Sequence, residues 1–488
     1  LVDITHPPSG TRSSATVSAE GRFNAAGLRG GGPYTVAFAA QGLPREIVEG
    51  VFIRRGEPTA IDLVLEAGGQ QQAGGAIEEI VVTGDRITSQ LAGSGSQYGQ
   101  DQINRAPTIS RDLKDVIRAD PKVNIGRSGS NEVNIAGSNS RFNSFTVDGI
   151  RQGDDFGLNF NGFPTQRVPV SLDAIDQIAV NIAPFDVEYS RFQGGNINVV
   201  TKSGGNEFSG SAYYYYTDDN LAGDEINGRA TSFVFEDKTY GGTLGGPIIK
   251  DTLFFFLNYE KFETSSPVTS GPAGSSFANQ VVEVSQAQLD QVLDITRRVY
   301  GFDPGTLLSN LPVEDEKILG KIDWNINDQH RASFTYQRTE GNEIIQSNNG
   351  GRNVSASSQW YNRSILLEQY SAQIFSDWTS DFSTELKVGR KETTTGQDSL
   401  NGTNFPSFRI TTRAPGATQD GFIFVGPDVF RHANSLRNDL NQVKLVGRYQ
   451  LGDHELKAGW EYEDLEVFNL FVPRSRGEYN FNSIADFE

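Results

Sequence analysis

Residues 441–462, NQVKLVGRYQLGDHELKAGWEY, alternate apolar and polar side chains with a period of two, interrupted at Gly452-Asp453. This period predicts two β-strands joined in a hairpin with one apolar and one charged face. Each strand has about ten residues, the length that a tilted strand needs to cross a bilayer. Soluble sheets also alternate, so the prediction depends on how often the pattern recurs. The apolar face carries Val443, Leu445, Gly447, Tyr449, Leu451, Leu456, Ala458, Trp460 and Tyr462.

The same alternation recurs along the C-terminal part of the chain, with connections that are alternately long and short. Outer-membrane barrels have this arrangement because their periplasmic turns are short and their extracellular loops are long. A soluble sandwich gives no reason to place every long loop at one end. The predicted strands are 207–217, 238–248, 251–263, 316–326, 330–340, 363–376, 382–394, 440–451 and 454–468. The predicted long connections are 218–237, 264–315, 341–362 and 395–439.

The two faces of these strands differ in chemistry. In strand 316–326, Ile322 and Trp324 lie on one face, and Lys321 and Asp323 on the other. We assign the apolar face to lipid and the polar face to the lumen of a barrel. The longest apolar run, 253–257, is far shorter than the roughly 18 residues that suggest a membrane helix, so a membrane crossing requires a closed sheet. Plugged transporters have roughly 22 strands, so we expect nine strands to be the first part of a longer barrel.

Composition excludes several function classes. The formal charge of −19 disfavours binding to a nucleic-acid backbone. The chain contains no cysteine, which excludes disulfides, thiolate metal sites and a cysteine nucleophile. The four histidines are scattered without metal-ligand spacing, and there is no nucleophile elbow or phosphate-binding loop. We therefore predict that the protein is not an enzyme and has no cofactor, metal site or nucleic-acid partner.

The N-terminal part predicts a small β module followed by a flexible linker. Short β-prone runs at 34–38, 47–53 and 60–65 are separated by Gly and Pro, which is typical of a β-sandwich within residues 1–68. The polar stretch 69–76 reads as a flexible linker. The segment GRFNAAGLRGGGPYTV resembles the carboxypeptidase-regulatory-like, immunoglobulin-type domain that precedes many outer-membrane receptors. The resemblance implies that residues 1–68 are an incomplete copy of this domain that lacks its opening strand.

After the linker comes IEEIVVTGDRI, residues 77–87. It is either an ordinary edge strand or a tethered segment that pairs edge to edge with a strand of a partner. The segment resembles the TonB box, by which a TonB-like periplasmic energy-coupling protein engages outer-membrane transporters. The residues that carry this resemblance are Glu78, Glu79, Ile80, Val81, Val82, Thr83 and Gly84.

Residues 88–205 predict a compact α/β domain. A helix with Ser110 as N-cap carries the apolar stripe Leu113, Val116 and Ile117. Tight turns or close backbone contacts are predicted at Asp148-Gly149, Gly194-Gly195 and Gly204-Gly205. The predicted strands are 132–136, 144–147, 175–182 and 196–201.

Three segments in and after this domain resemble the plug and first barrel strands of TonB-dependent receptors, in particular the Oar-like branch. They are RFNSFTVDGIR (141–151), the glycine-rich stretch 175–211, and LGGPIIKDTLFFFLNYEKFE (244–263). The resemblance implies a mainly β fold: an N-terminal β-sandwich, an α/β plug, and a partial antiparallel transmembrane β-barrel over 206–488. It also implies an outer-membrane location with the N-terminal domains in the periplasm.

The loop 152–167 of the predicted plug, QGDDFGLNFNGFPTQR, is rich in Asn, Asp and aromatic residues. It is either a ligand-contacting surface that faces the external vestibule or a plain connection within the plug. The candidate ligand contacts are Asp154, Asp155, Phe156, Asn159, Phe160 and Asn161.

The resemblance implies active transport of a scarce solute, with a siderophore, oligosaccharide, vitamin or peptide all open. The rival interpretation is a surface adhesin or carbohydrate-binding protein with a β-rich fold, and a second rival is a passive porin, which a plug-like domain disfavours. Within the longest predicted loop, 283–301 predicts an amphipathic helix that packs on the base of its own loop through Leu289, Val292, Leu293 and Ile295.

Overall fold

The computed structural model describes most of the chain, and its segments are residues 1–17, 21–23, 25, 28, 31–40, 45–53, 59–61, 63, 80–83, 87–89, 94–108, 111–126, 132–182, 187–190, 193–221, 225–226, 229–230, 235–379, 381–452 and 454–488. Within these segments, no helix is both long enough and apolar enough to cross a membrane.

Nine long strands form one antiparallel sheet in chain order, as predicted. We call them barrel strands 1 to 9. Most of them extend further toward the long connections than predicted, because backbone pairing continues beyond the segments in which the alternation is regular. Their bounds are Ser209–Asp218, Glu236–Ile249, Leu253–Pro267, Asn310–Asn325, His330–Ile345, Tyr361–Asp377, Phe382–Ser399, Asn434–Leu451 and His454–Phe471.

The sheet buries its polar face and exposes its apolar face, as predicted. On adjacent barrel strands, Lys321 and Gln337 are almost fully buried, whereas Trp324 and Phe334 are 47% and 46% exposed. A soluble sandwich would bury the apolar residues instead. This inside-out distribution is that of a barrel with lipid outside and polar contents inside.

The plug packs against the inner face of this sheet. Its core is a five-stranded mixed sheet, in which Ser144–Val147 and Gly195–Thr201 run parallel. Helices Gln100–Arg105 and Leu113–Ile117 lie beside it. The second helix has Asp112, not the predicted Ser110, as N-cap: its carboxylate accepts the backbone N–H of Lys114. The strand order is Ile150–Arg151, Ser144–Val147, Gly195–Thr201, Ile175–Ile182 and Ser94–Tyr98, and a separate pair joins Val123–Ile125 to Val133–Ile135.

The N-terminal module is built on a second five-stranded sheet. Its core contains Val2, Tyr34 and Val51, each fully buried. The first two strands were not predicted. The strand order is Thr11–Ala15, Val2–His6, Gly31–Phe38, Glu46–Ile53 and Ile80–Thr83, and a further pair joins Thr59–Ile61 to Ile87–Ser89.

Segments of three long connections, together with the residues after barrel strand 9, fold together into what we call the loop domain (268–309, 346–360, 400–433 and 472–488). Helix Gln286–Tyr300, predicted at 283–301, begins at the N-cap Ser285 and ends at Gly301, which has φ +66°. Its apolar stripe is buried as predicted, but it packs against strands from other loops rather than only against its own. The loop domain also contains helix Ile484–Phe487, the strand pair Ser270–Ala273 and Asn279–Ser285, and a sheet with the strand order Asn353–Ser355, Gly421–Val425, Ser407–Thr412 and Glu478–Phe481. Outside the loop domain, Glu225–Ile226 pairs with Arg229–Ala230 in the first long connection.

Candidate functional site

The middle of residues 78–84, the stretch that resembles the TonB box, forms the last strand of the N-terminal module's sheet. Ile80–Thr83 runs parallel to Glu46–Ile53, with Val82 opposite Val48. In the described part of the chain, no strand pairs with its other edge. Glu78, Glu79 and Gly84 lie outside the described residues. The segment therefore lies where another strand can pair with it.

Polar groups hold the plug to the barrel at several points, and Phe256 and Leu319 of the wall also pack into the apolar core of the plug. Gln152 donates from Nε2 to the side-chain oxygens of Gln337 at 2.7 Å and Gln369 at 2.9 Å. The Nε2 of Gln337 and the hydroxyl of Thr339 both donate to the carbonyl of Pro169, at 2.7 and 2.6 Å. These inward-facing residues belong to the polar face that the sequence assigned to the lumen.

A tight turn of the plug is fixed against the barrel at Asp148-Gly149, as predicted. Both residues have positive φ, +50° and +82°. The carboxylate of Asp148 accepts the backbone N–H of Thr201 at 3.0 Å and its hydroxyl at 2.6 Å. Lys321 of barrel strand 4 lies 3.5 Å from the same carboxylate, and Gln373 donates to the Asp148 carbonyl at 2.5 Å. This turn therefore connects the plug strand Gly195–Thr201 to barrel strands 4 and 6 through hydrogen bonds and an ion pair.

The two acidic residues of the candidate ligand loop are engaged in holding the loop. Asp155 forms ion pairs with Arg151 at 2.5 Å and with Lys391 of barrel strand 7 at 2.6 Å. Burial alone would raise the pKa of Asp155, but the charges of Lys391 and Arg151 outweigh burial and hold that pKa below its usual value. Asp154 accepts the backbone N–H groups of Gly157 and Asn159, at 2.9 and 2.7 Å.

The asparagines of the loop are also structural, whereas two of its three phenylalanines are exposed and the third, Phe163, is buried in the plug core. Asn161 is buried and donates to the carbonyls of Thr165 and Gln166 at 3.1 and 2.9 Å. Asn159 is likewise buried. In contrast, Phe156 and Phe160 are 42% and 67% exposed.

Two exposed residues that the sequence did not single out complete this surface. Leu158 is 40% exposed and Phe142 is 49% exposed. The segment next to Phe142 is bound to the loop, because Ser140 donates to the carbonyl of Phe160 at 2.8 Å and Arg141 to that of Gly157 at 2.5 Å. We call Phe142, Phe156, Leu158 and Phe160 the plug apex. Phe142 lies in a different sequence motif, so no local pattern connected it with the loop.

A further plug–barrel contact centres on Glu188. Its carboxylate lies 2.5 Å from Arg448 and 3.0 Å from Lys457, and its carbonyl accepts from Lys444 at 2.7 Å. Sequence reasoning placed Lys444 and Arg448 on the polar face of barrel strand 8 but did not identify their partner, which is distant in the chain.

A cavity of about 840 Å³ lies at the short-turn end of the barrel, between plug and wall. Asp176 lines it and accepts from Gln100 Nε2 at 2.9 Å. Burial raises the pKa of Asp176 to about 6, although Lys321 and Lys202 lower it and Asp148 raises it further.

Replacing Asp176 by Asn is expected to stabilise the protein at pH 8. The pKa is higher in the folded than in the unfolded protein, so the ionised carboxylate destabilises the fold, and stability falls as the pH rises through about 6. Because the side chain is partly open to the cavity, we expect Asp176→Asn to raise the free energy of unfolding by about 1–3 kcal/mol at pH 8 and to leave it unchanged at pH 4. Unfolding in detergent at both pH values measures this. An equal effect of Asp176→Asn at both pH values would contradict the assignment.

Comparison with known families agrees with this architecture. The family model described as an outer membrane beta barrel domain matches residues 200–280 and 308–487, and the TonB-dependent receptor plug domain matches 88–196. The TonB-dependent transporter Oar of Myxococcus xanthus is 29% identical over 222 residues, which cover 42% of this chain and 19% of Oar. The probable TonB-dependent siderophore receptor PirA of Acinetobacter baumannii is 27% identical over 219 residues, covering 42% of this chain and 28% of PirA.

A solved structure has the same fold. The outer membrane transporter YddB of Escherichia coli superposes with a TM-score of 0.56 at 13% identity, over 80% of this chain and 50% of YddB. The chain therefore spans about half of that structure and a smaller share of the two sequence relatives. Because the barrel model matches more than half of the residues and the plug model matches the domain that packs against its inner face, the chain belongs to the TonB-dependent receptors of the bacterial outer membrane.

Proposed function

We propose that this chain is part of an energy-coupled transporter that carries a scarce solute inward across the outer membrane. The observation that carries the proposal is a folded plug held against the polar inner face of the barrel wall by side-chain hydrogen bonds and ion pairs. A barrel of the size expected for this family would leak without a plug. The long-loop end then faces the exterior, and the N-terminal module lies in the periplasm.

The chemistry of the plug–barrel contacts supports a plug that moves. Each hydrogen bond contributes only about 1 kcal/mol net, because water replaces the lost partner when the groups separate. Gln152, Gln337 and Thr339 can therefore exchange protein partners for water. An apolar interface of the same size would resist such separation much more strongly.

Movement of the plug still requires work from outside the chain. A ligand shifts a conformational equilibrium only by the difference in its affinities for the two conformations. We therefore assign the coupling role to residues 78–84, which a TonB-like periplasmic protein would grip by strand pairing. The position of Ile80–Thr83 at the edge of a sheet supports this assignment.

We further propose that the plug apex contacts the solute. The carboxylates beneath it are already engaged by Arg151, Lys391 and backbone N–H groups, so they do not present free negative charge to a cation. Exposed Phe142, Phe156 and Phe160 instead favour a solute with an aromatic or otherwise apolar face. Siderophores, oligosaccharides and peptides all include such molecules, and PirA is a probable siderophore receptor.

Deleting residues 78–84 from the full receptor is expected to leave solute binding intact and to abolish uptake. The probe is the solute that co-purifies with the receptor from its native membrane, identified by mass spectrometry and then labelled. A matched variant, Phe156→Ala with Phe160→Ala, is expected to weaken binding of the same probe by about tenfold or more while leaving residues 78–84 able to bind a purified TonB-like domain. Uptake at the normal rate by the deletion variant would refute the coupling role.

A further inference from the structure

In the described part of the N-terminal module, the turn at residues 6–11 contacts the short-turn end of the barrel. The carbonyl of Pro8 accepts the backbone N–H of Asn206 at 2.5 Å. Asn325, at the end of barrel strand 4, donates to the carbonyl of Ser9 at 3.4 Å and accepts from the hydroxyl of Thr11 at 3.3 Å. The module therefore touches the barrel next to the ends of strands 1 and 4.

The turn is preorganised for this contact. Inside it, the Ser9 hydroxyl lies 2.6 Å from the His6 ring nitrogen and 2.7 Å from the Thr11 hydroxyl. Ser9 and Thr11 are both buried. A second contact joins module and plug, where Gln177 Nε2 donates to the carbonyl of Ile53 at 3.0 Å. The module is thus attached to both the barrel and the plug, the two parts between which the cavity near Asp176 lies.

The cavity of about 840 Å³ is bounded on three sides. Asp176 and Lys202 of the plug lie on one side and Lys321 and Arg331 of the barrel on another, and Pro8 and Pro33 of the module form the third. Its volume is in the range of small-molecule sites. Its lining includes charges of both signs, which suits a polar solute: Asp173, Asp176, Asp323, Lys202, Lys321 and Arg331.

We propose that the module is a second closure of the lumen, and that the cavity is a chamber in which a polar solute resides after it passes the plug and before the module undocks. This inference rests on the proposed transport function. Among the described residues, hydrogen bonds from the turn and from Ile53 hold the module, and each contributes little net stability, so undocking is readily reversible. A module that stayed permanently docked on the barrel would require a much larger apolar interface.

The test measures access to the chamber in the purified full-length receptor, with no solute present. These 488 residues contain no cysteine, so Ser333→Cys introduces the only thiol among them, in the chamber wall. Any cysteine elsewhere in the full receptor is first replaced by Ser, so that the maleimide reports on this position alone. A large PEG-maleimide is expected to modify it slowly. Weakening the dock with Thr11→Ala and Asn325→Ala, or independently with Gln177→Ala, should accelerate the modification about tenfold or more.

The control thiol is Thr335→Cys, two residues further along the same inward face of barrel strand 5 and outside the chamber lining. It should stay slow in all backgrounds. Equal rates at Ser333→Cys with and without the weakening substitutions would overturn the proposal, because the module would then be no barrier. Parallel acceleration at Thr335→Cys would also overturn it by assigning the barrier to the plug. Neither result depends on transport, so failure here is distinct from failure of the coupling assay.

Discussion

Replacing Lys391 by Met is expected to lower the free energy of unfolding of the plug–barrel unit by about 3–5 kcal/mol. Lys391 is almost fully buried in barrel strand 7, and its Nζ lies 2.6 Å from Asp155 and 3.1 Å from the carbonyl of Gly153. Methionine has a similar length but no charge. The substitution therefore leaves the buried Asp155 with Arg151 as its remaining ion-pair partner.

The effect should concentrate in the candidate ligand loop, because Asp155 fixes that loop to the barrel. Hydrogen exchange of residues 152–167 should accelerate, while exchange in distant plug strand Ile175–Ile182 changes less. Unfolding in detergent measures the global effect. Arg390→Met, the adjacent residue on the exposed face, where Arg390 pairs with Glu392, should cause no measurable change.

A double variant separates two effects of Lys391→Met: the loss of attraction between Lys391 and Asp155, and the cost of leaving the buried Asp155 carboxylate without that partner. Lys391→Met combined with Asp155→Asn removes both charges and should recover part of the lost stability, since the main penalty is an inadequately paired buried carboxylate. If the double variant is as unstable as the sum of the two single variants, the ion pair does not anchor the loop as described.

The barrel and much of the plug could be predicted from the sequence because their signals are local. Alternation along a strand, as at Ile322 and Trp324, already specifies which side faces lipid, and Asp148-Gly149 specifies a turn. The partners of Asp155 could not be predicted in the same way. Lys391 is 236 residues away, and nothing in either local segment indicates that they meet.

The loop domain was missed for a related reason. Its sheet uses strands of three to six residues taken from separate parts of the chain, such as Asn353–Ser355 and Ser407–Thr412. Segments this short carry too little periodicity to be distinguished from irregular loops. The parallel pairing of Phe408 with Tyr479 joins strands from two different loops, so neither segment alone predicts it.

The second prediction with a large expected effect concerns the aromatic cluster of the loop domain. Phe408 is buried at its centre, with ring centroids of Tyr300, Phe405, Tyr479, Phe481 and Phe487 at 5.0, 5.1, 5.7, 5.5 and 5.6 Å. Phe408→Ala is expected to lower the free energy of unfolding of the loop domain by about 3–5 kcal/mol, because a large cavity replaces the ring.

Because the neighbours of Phe408 come from different loops, their loss of protection should be simultaneous. Hydrogen exchange should accelerate together in Gln286–Tyr300, Gly421–Val425 and Glu478–Phe481, while barrel strands 4 to 6 remain protected. Phe430→Ala provides the control, since that half-exposed ring stacks on Phe471 outside this cluster. Acceleration confined to Ser407–Thr412 would mean that the loops fold independently. Simultaneous acceleration would mean that the loop domain, formed at the long-connection end of the barrel, opens as one folded body, so that entry of the proposed solute from this end would depend on one cooperative equilibrium rather than on several independent ones.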